Sequence, residues 1–74
     1  MDNQHKKISG YRDLNQDEIN QINAIKSVGT QLGLLITHME QDEEVDQRWL
    51  SIAKTHLQQG VSAAVRSVAK PTGF

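Results

Sequence analysis

The side chains able to do chemistry are few and scattered. Three histidines occur, at His5, His38 and His56. His38 and Asp42 stand four residues apart, a spacing at which two helical side chains can share a metal ion; the competing reading is a solvated helix end. His56 lies beside an apolar stripe, where a histidine is more often a hydrogen-bonded packing residue than a base. No cysteine is present, so a disulfide or a thiolate metal site is excluded. Asp42, Glu43 and Glu44 crowd one acidic stretch, with nothing to supply the unequal, buried environments that acid–base catalysis needs. A nucleophile elbow, a glycine-rich phosphate loop and a zinc motif are all missing. The sequence therefore predicts a protein that is not an enzyme and that needs neither cofactor nor metal.

Three other residues suit the holding of an anionic ligand. Lys26 is the one lysine or arginine between Asp13 and Arg48, on a segment otherwise apolar or neutral. An ammonium group supplies a point charge for a phosphate. Tyr11 is one of three aromatic residues, set in a polar stretch, and its ring offers a face on which a nucleobase can stack. Arg66 sits among Ala63, Ala64, Val65, Ser67 and Val68 near the end of a helical pattern. The plainer readings are that Tyr11 packs an arm onto a helix, Lys26 is solvated, and Arg66 complements a helix C-terminal dipole. If an oligomer axis gathered several copies of Arg66, they would repel one another unless an anion lay between them.

Two helices must position these residues. Asn15 is an N-cap candidate with Glu18 three positions on, a capping-box pair, and Leu14 and Ile19 have the spacing of a hydrophobic staple. Asp17 and Glu18 favour the same helix start through its dipole. An apolar period then runs through Ile19, Ile22, Ile25, Leu32, Leu35, Ile36 and Met39, with Val28 beside it. Gly29 and Gly33, four apart, permit close helix approach or a bend. The first helix is expected over residues 16–40. A second starts at an Asp42 or Asp46 cap. Its stripe is read as Val45, Trp49, Ile52, Ala53, His56, Leu57, Gly60, Ala63, Ala64 and Val68, which makes Trp49 a core residue. Pro71 ends it, because the residue before a proline is pushed out of helical angles.

The expected fold is all-α: a helical hairpin over residues 10–70, preceded by a flexible arm at 1–9 that leads in through a short arm or helical turn, and followed by a tail at 71–74. A lone chain of 74 residues buries only about 60% of the surface its unfolded form exposes, which makes its stability marginal. Leu34, Leu50, Val61 and Val65 lie off the two stripes, and the small residues of 60–64 suit close helix packing. These extra faces predict a homo-oligomer, at least a dimer.

Net charge is −1, but its distribution is uneven. Residues 40–46 hold Glu40, Asp42, Glu43, Glu44 and Asp46 without a base, and residues 47–74 hold Arg48, Lys54, Arg66 and Lys70 without an acid. A duplex DNA or RNA binder is usually basic throughout; a small anionic ligand held by a few bases fits this chain better. The polar start has no apolar core behind Lys6 and Lys7, and the longest aliphatic run is Leu34–Ile36. Neither a signal peptide nor a membrane span is expected, and the chain reads as soluble and intracellular.

The sequence resembles the phage anti-CBASS cyclic-nucleotide sponges, the second anti-CBASS protein type. The resemblance rests on Tyr11-Arg12-Asp13-Leu14 before a capped helix, on Ile25-Lys26, on the run from Arg48-Trp49-Leu50 through Thr55-His56-Leu57-Gln58-Gln59-Gly60, on Val65-Arg66-Ser67-Val68-Ala69-Lys70-Pro71, and on Phe74. It covers most of the chain from about residue 10. It implies a compact helical hexamer in the host bacterial cytoplasm. Such an assembly binds cyclic dinucleotides such as cyclic GMP-AMP between protomers, without cleaving them, and so starves the effector of a bacterial defence system. In that setting Tyr11 stacks on a base, Lys26 contacts phosphate, and Arg12 is an arm residue beside the same ligand. Cyclic trinucleotides would occupy separate sites, with Arg66 the candidate phosphate contact.

Two other classes fit the residues. A helical protein-interaction module that caps or inhibits a host protein would use the same apolar stripes. A nucleic-acid binder using Arg48, Lys54, Arg66 and Lys70 would need those bases on one face, which their spacing does not favour.

Overall fold

The computed structural model describes residues 13–73, which fold as two antiparallel helices, α1 (Gln16–Glu40) and α2 (Gln47–Ala69). The arm at 1–9, and Tyr11 and Arg12 with it, lie outside the described residues. All regular structure among the described residues is helical.

The start of α1 follows from its local chemistry. The Asn15 side-chain oxygen accepts the Glu18 backbone N–H at 2.9 Å, and the Glu18 carboxylate accepts the Asn15 N–H at 3.0 Å. Two amides that the helix cannot pair are thereby satisfied reciprocally. Asp46, not Asp42, caps α2, accepting the Trp49 N–H at 3.1 Å. Asp42 instead accepts the Glu44 N–H at 2.9 Å and tightens the turn. The Gln47 amide, reaching back, lies 3.3 Å from the Met39 carbonyl, 3.2 Å from that of Asp42 and 3.2 Å from that of Val45, and so ties the connection to both helices.

The end of α2 is set by Pro71. Lys70 takes the left-handed conformation at φ 45°, and its N–H returns to the Arg66 carbonyl at 2.8 Å. A proline disfavours right-handed helical angles at the residue before it, so the chain turns away here even without a glycine.

Ile22, Ile36 and Leu50 are the buried core. Along α2, Leu50, Leu57, Val61, Ala64 and Val68 are buried or half-buried, at spacings of seven, four, three and four. This is one helical face turned toward α1. It corrects the stripe read from sequence. Trp49, expected in the core, is 62% exposed, while Leu50, expected off the stripe, is 5% exposed. Adjacent residues on a helix point about 100° apart. α2 carries apolar residues on both faces, and the face that α1 covers is the one containing Leu50. His56, expected as a packing residue, is likewise exposed, as are Gly60 and Ala63.

Close approach of the helices occurs at Gly29. A Cβ placed there would lie 3.2 Å from Val61 Cγ1. Gly33 and Gly60 meet nothing within 4 Å, so neither of these two glycines marks the tight contact of this hairpin. Val28, Leu34, Leu35 and Trp49 remain 56%, 67%, 53% and 62% exposed.

Candidate functional site

A groove of about 600 Å³ runs between α1 and α2 on one flank. Along α1 it is lined by Lys26, Gly29, Thr30 and Gly33, which recur at the three- and four-residue steps of a single helical face. Across from them stand Lys54, Gln58 and Ser62 of α2, with Ile36, Leu57 and Val61 supplying apolar surface. The cleft thus has cations from both helices, polar hydroxyl and amide groups along its length, and glycine backbone where side chains would otherwise fill it. A volume of this order suits a small organic ligand, and mixed apolar and polar walls are usual for such sites.

Lys26 is exposed on the rim. The hydroxyl of Thr30 donates to the Lys26 backbone carbonyl at 3.0 Å, so that hydroxyl is already engaged with its own helix. Lys54 reaches the Glu40 carboxylate at 3.4 Å, a pair whose side chains are 47% and 38% exposed. Exposed ion pairs of this kind contribute on the order of 0–1 kcal/mol.

Arg66 does not line this groove. It occupies the last turn of α2, and its guanidinium donates to the Gly73 carbonyl of the C-terminal tail at 3.4 Å. With Gly29 opposite Val61, the antiparallel register sets Lys26 and Arg66 toward the same end of the hairpin, where α1 begins and α2 ends. Tyr11 and Arg12 lie outside the described residues.

A second groove on another flank is almost wholly apolar, with Ala24, Ile25, Val28, Gly60 and Ala64 along it and His56 among its lining residues. His38 borders a shallow acidic depression with Asp42, Glu43 and Glu44. Among the described residues, no group of three or more histidine, aspartate or glutamate side chains is placed to hold a metal ion. No helix among them is long and apolar enough to cross a membrane.

Lys54 is a groove cation that reasoning from sequence counted among the C-terminal bases but did not single out as a site residue. The available signal was the face Lys26, Gly29, Thr30, Gly33, where small residues follow a lysine at helical steps. A partner helix crossing such a face must contribute the far wall of whatever cleft forms.

The fold and site define a small helical-hairpin module with an open, lysine-edged cleft and unpartnered apolar faces. Residues 4–69 match the Acb2/Tad1 hairpin domain. The chain is also similar to a protein of Pseudomonas phage JBD67 named Anti-CBASS protein 2, at 36% identity over an alignment of 107 positions that covers 99% of each. That alignment is longer than the 74 residues here, so the phage relative carries additional segments. The chain belongs to the Acb2/Tad1 anti-CBASS family.

Proposed function

We propose that this protein binds cyclic dinucleotides such as cyclic GMP-AMP and sequesters them intact, so that they never reach the effector of the host's CBASS defence. The observation that carries the reading is Lys26 on the rim of the interhelical groove, in a chain that matches a phage relative named Anti-CBASS protein 2 along its whole length. A nucleotide supplies a phosphate for the ammonium group and a base for the apolar wall. Tyr11 provides the stacking ring, and Arg12 a further cation beside it. Binding alone accomplishes this function, because a signal removed from solution is inactive whether or not it is cleaved. The site of action is the host bacterial cytoplasm, where such signals are made.

Assembly belongs to the same reading. Val28, Leu34, Leu35 and Trp49 are large apolar residues left more than half exposed, and an interface between copies would bury them. Copies of the chain cover these faces in a homo-oligomer, a hexamer in this proposal, and Tyr11 and Lys26 meet the ligand where protomers adjoin. Cyclic trinucleotides bind separately, at Arg66. Neither a membrane nor a nucleic-acid duplex is a partner.

Native mass measurement with and without cyclic GMP-AMP tests both parts. The expected result is a multimer that gains ligand, from which intact cyclic GMP-AMP is recovered after heating. A folded monomer that takes up no cyclic di- or trinucleotide would refute the proposal. The exposed Trp49 favours, as a second reading, a module that docks on a host protein. Stoichiometric capture of a host protein by nucleotide-free material would support that reading instead.

A further inference from the structure

We propose that two copies of this chain pair antiparallel through one flank of α2, each seating its Trp49 in the apolar groove of the other beside Gly60. The inference rests on the assembly part of the proposed function and not on its nucleotide part. The contact lies on a different flank from the groove that Lys26 lines, so the ligand junction is left to another pair of faces.

α2 carries a line of residues that α1 largely leaves open. Trp49, Ala53, His56, Gly60, Ala63 and Ser67 follow one another at alternating steps of four and three, the spacing of one helical face. None is charged, and all but Ala53 are exposed. The line is bulky at one end and bare at the other. Trp49 is 62% exposed. Gly60 has no side chain, and a Cβ there would meet nothing within 4 Å. Around Gly60 the flank opens into the groove of about 470 Å³ walled by Ala24, Ile25, Val28 and Ala64. An indole ring is a knob suited to such a hole, and burying one removes a large apolar area from water.

A knob and a hole on one face meet only through a second copy turned end for end. Trp49 and Ala63 stand seven residues to either side of His56, about 10 Å each way along the helix. A two-fold axis at His56 therefore lays each Trp49 over Ala63 and the Gly60 groove of the other copy, and a self-complementary contact of this kind closes as a dimer. The charges agree with that register. The turn before α2 holds Asp42, Glu43, Glu44 and Asp46 without a base, while residues 47–74 hold no acid and α2 is followed by Lys70. The two-fold brings the acidic turn of each copy to the Lys70 end of the other, where opposite charges favour this pairing. A parallel pairing would instead set acidic turn against acidic turn and leave both grooves empty.

The chain has no cysteine, so a single introduced thiol reports proximity cleanly. In the full chain, free of nucleotide and under mild oxidation, His56→Cys is expected to give mostly disulfide-linked dimer. Only a residue near a two-fold axis meets its own copy within the roughly 7 Å that a disulfide spans. Thr55→Cys, about 100° round the helix, is expected to stay mostly unlinked. Gly60→Leu fills the groove and is expected to weaken self-association about tenfold or more in sedimentation velocity. Leucine is the better helix former, so circular dichroism should show no loss of helix in that variant. An assembled wild type in which His56→Cys links no faster than Thr55→Cys, or in which Gly60→Leu assembles unchanged, overturns the inference and leaves the nucleotide reading standing. Wild type that sediments as a monomer at every concentration overturns the inference together with the assembly part of the proposed function.

Discussion

A Cβ at Gly29 would stand 3.2 Å from Val61 Cγ1, whereas one at Gly33, a turn further along α1, would meet nothing within 4 Å. Two glycines on one face therefore do different things. Replacing either with alanine gains about 1 kcal/mol of helix propensity. At Gly33 that gain is unopposed, so Gly33→Ala should raise stability by up to about 1 kcal/mol. At Gly29 the methyl presses on a β-branched side chain with little rotamer freedom, and such overpacking costs about 1–3 kcal/mol. Gly29→Ala should therefore be net destabilising. Thermal melts of the two variants in parallel check the difference in sign.

Leu50 and Trp49 are neighbours with opposite duties. Leu50→Ala empties a core of three buried residues and should cost about 2–4 kcal/mol. Trp49→Ala should leave the helical content of the hairpin intact and weaken association between copies. Circular dichroism separates the first effect and native mass the second. A Trp49→Ala protein with unchanged oligomer mass would show that this ring lies outside the interface.

Lys70 pays for the helix stop. A left-handed conformation disfavours a residue with a Cβ by roughly 1 kcal/mol, and glycine removes that strain. Lys70→Gly should raise stability by about 0.5–1 kcal/mol in denaturant titration, while Lys70→Val should lower it.

The two helix starts differ in how fully they are capped. Asn15→Ala loses the side-chain acceptor of the Glu18 N–H but keeps the backbone N–H that donates to the Glu18 carboxylate, and Asp46→Ala loses the acceptor of the Trp49 N–H. Each should cost about 1 kcal/mol. Amide hydrogen exchange should show the faster opening at residues 16–18 in the first variant and at 47–49 in the second.

Lys26→Ala and Tyr11→Ala should each remove most cyclic dinucleotide affinity without lowering the melting temperature by more than a few degrees. Retained affinity in Lys26→Ala would move the ligand away from this groove.

Local chemistry made much of this protein readable from sequence. Asn15 and Glu18 announce the start of α1, Pro71 announces the end of α2, and the period of Ile19, Ile22, Ile25, Leu32, Leu35, Ile36 and Met39 requires α1 to be helical, although Ile19 and Leu35 stand exposed on it. All of these act within a few residues, through hydrogen bonds and steric limits carried by the chain itself. The face of α2 that turns inward is a different kind of fact. The sequence pattern puts Trp49, Ile52, His56 and Leu57 on one stripe and leaves Leu50 and Val61 off it. Only the docking of α1, with Gly29 admitting Val61, turns Leu50 and Val61 inward beside Leu57 and leaves Trp49 and His56 exposed. The same docking brings Lys54 into the groove that Lys26 lines, a relation between residues 28 positions apart that no local pattern contains. Short-range preferences specify which elements form; the relative rotation of two amphipathic helices depends on how their surfaces interlock, and that belongs to the tertiary structure.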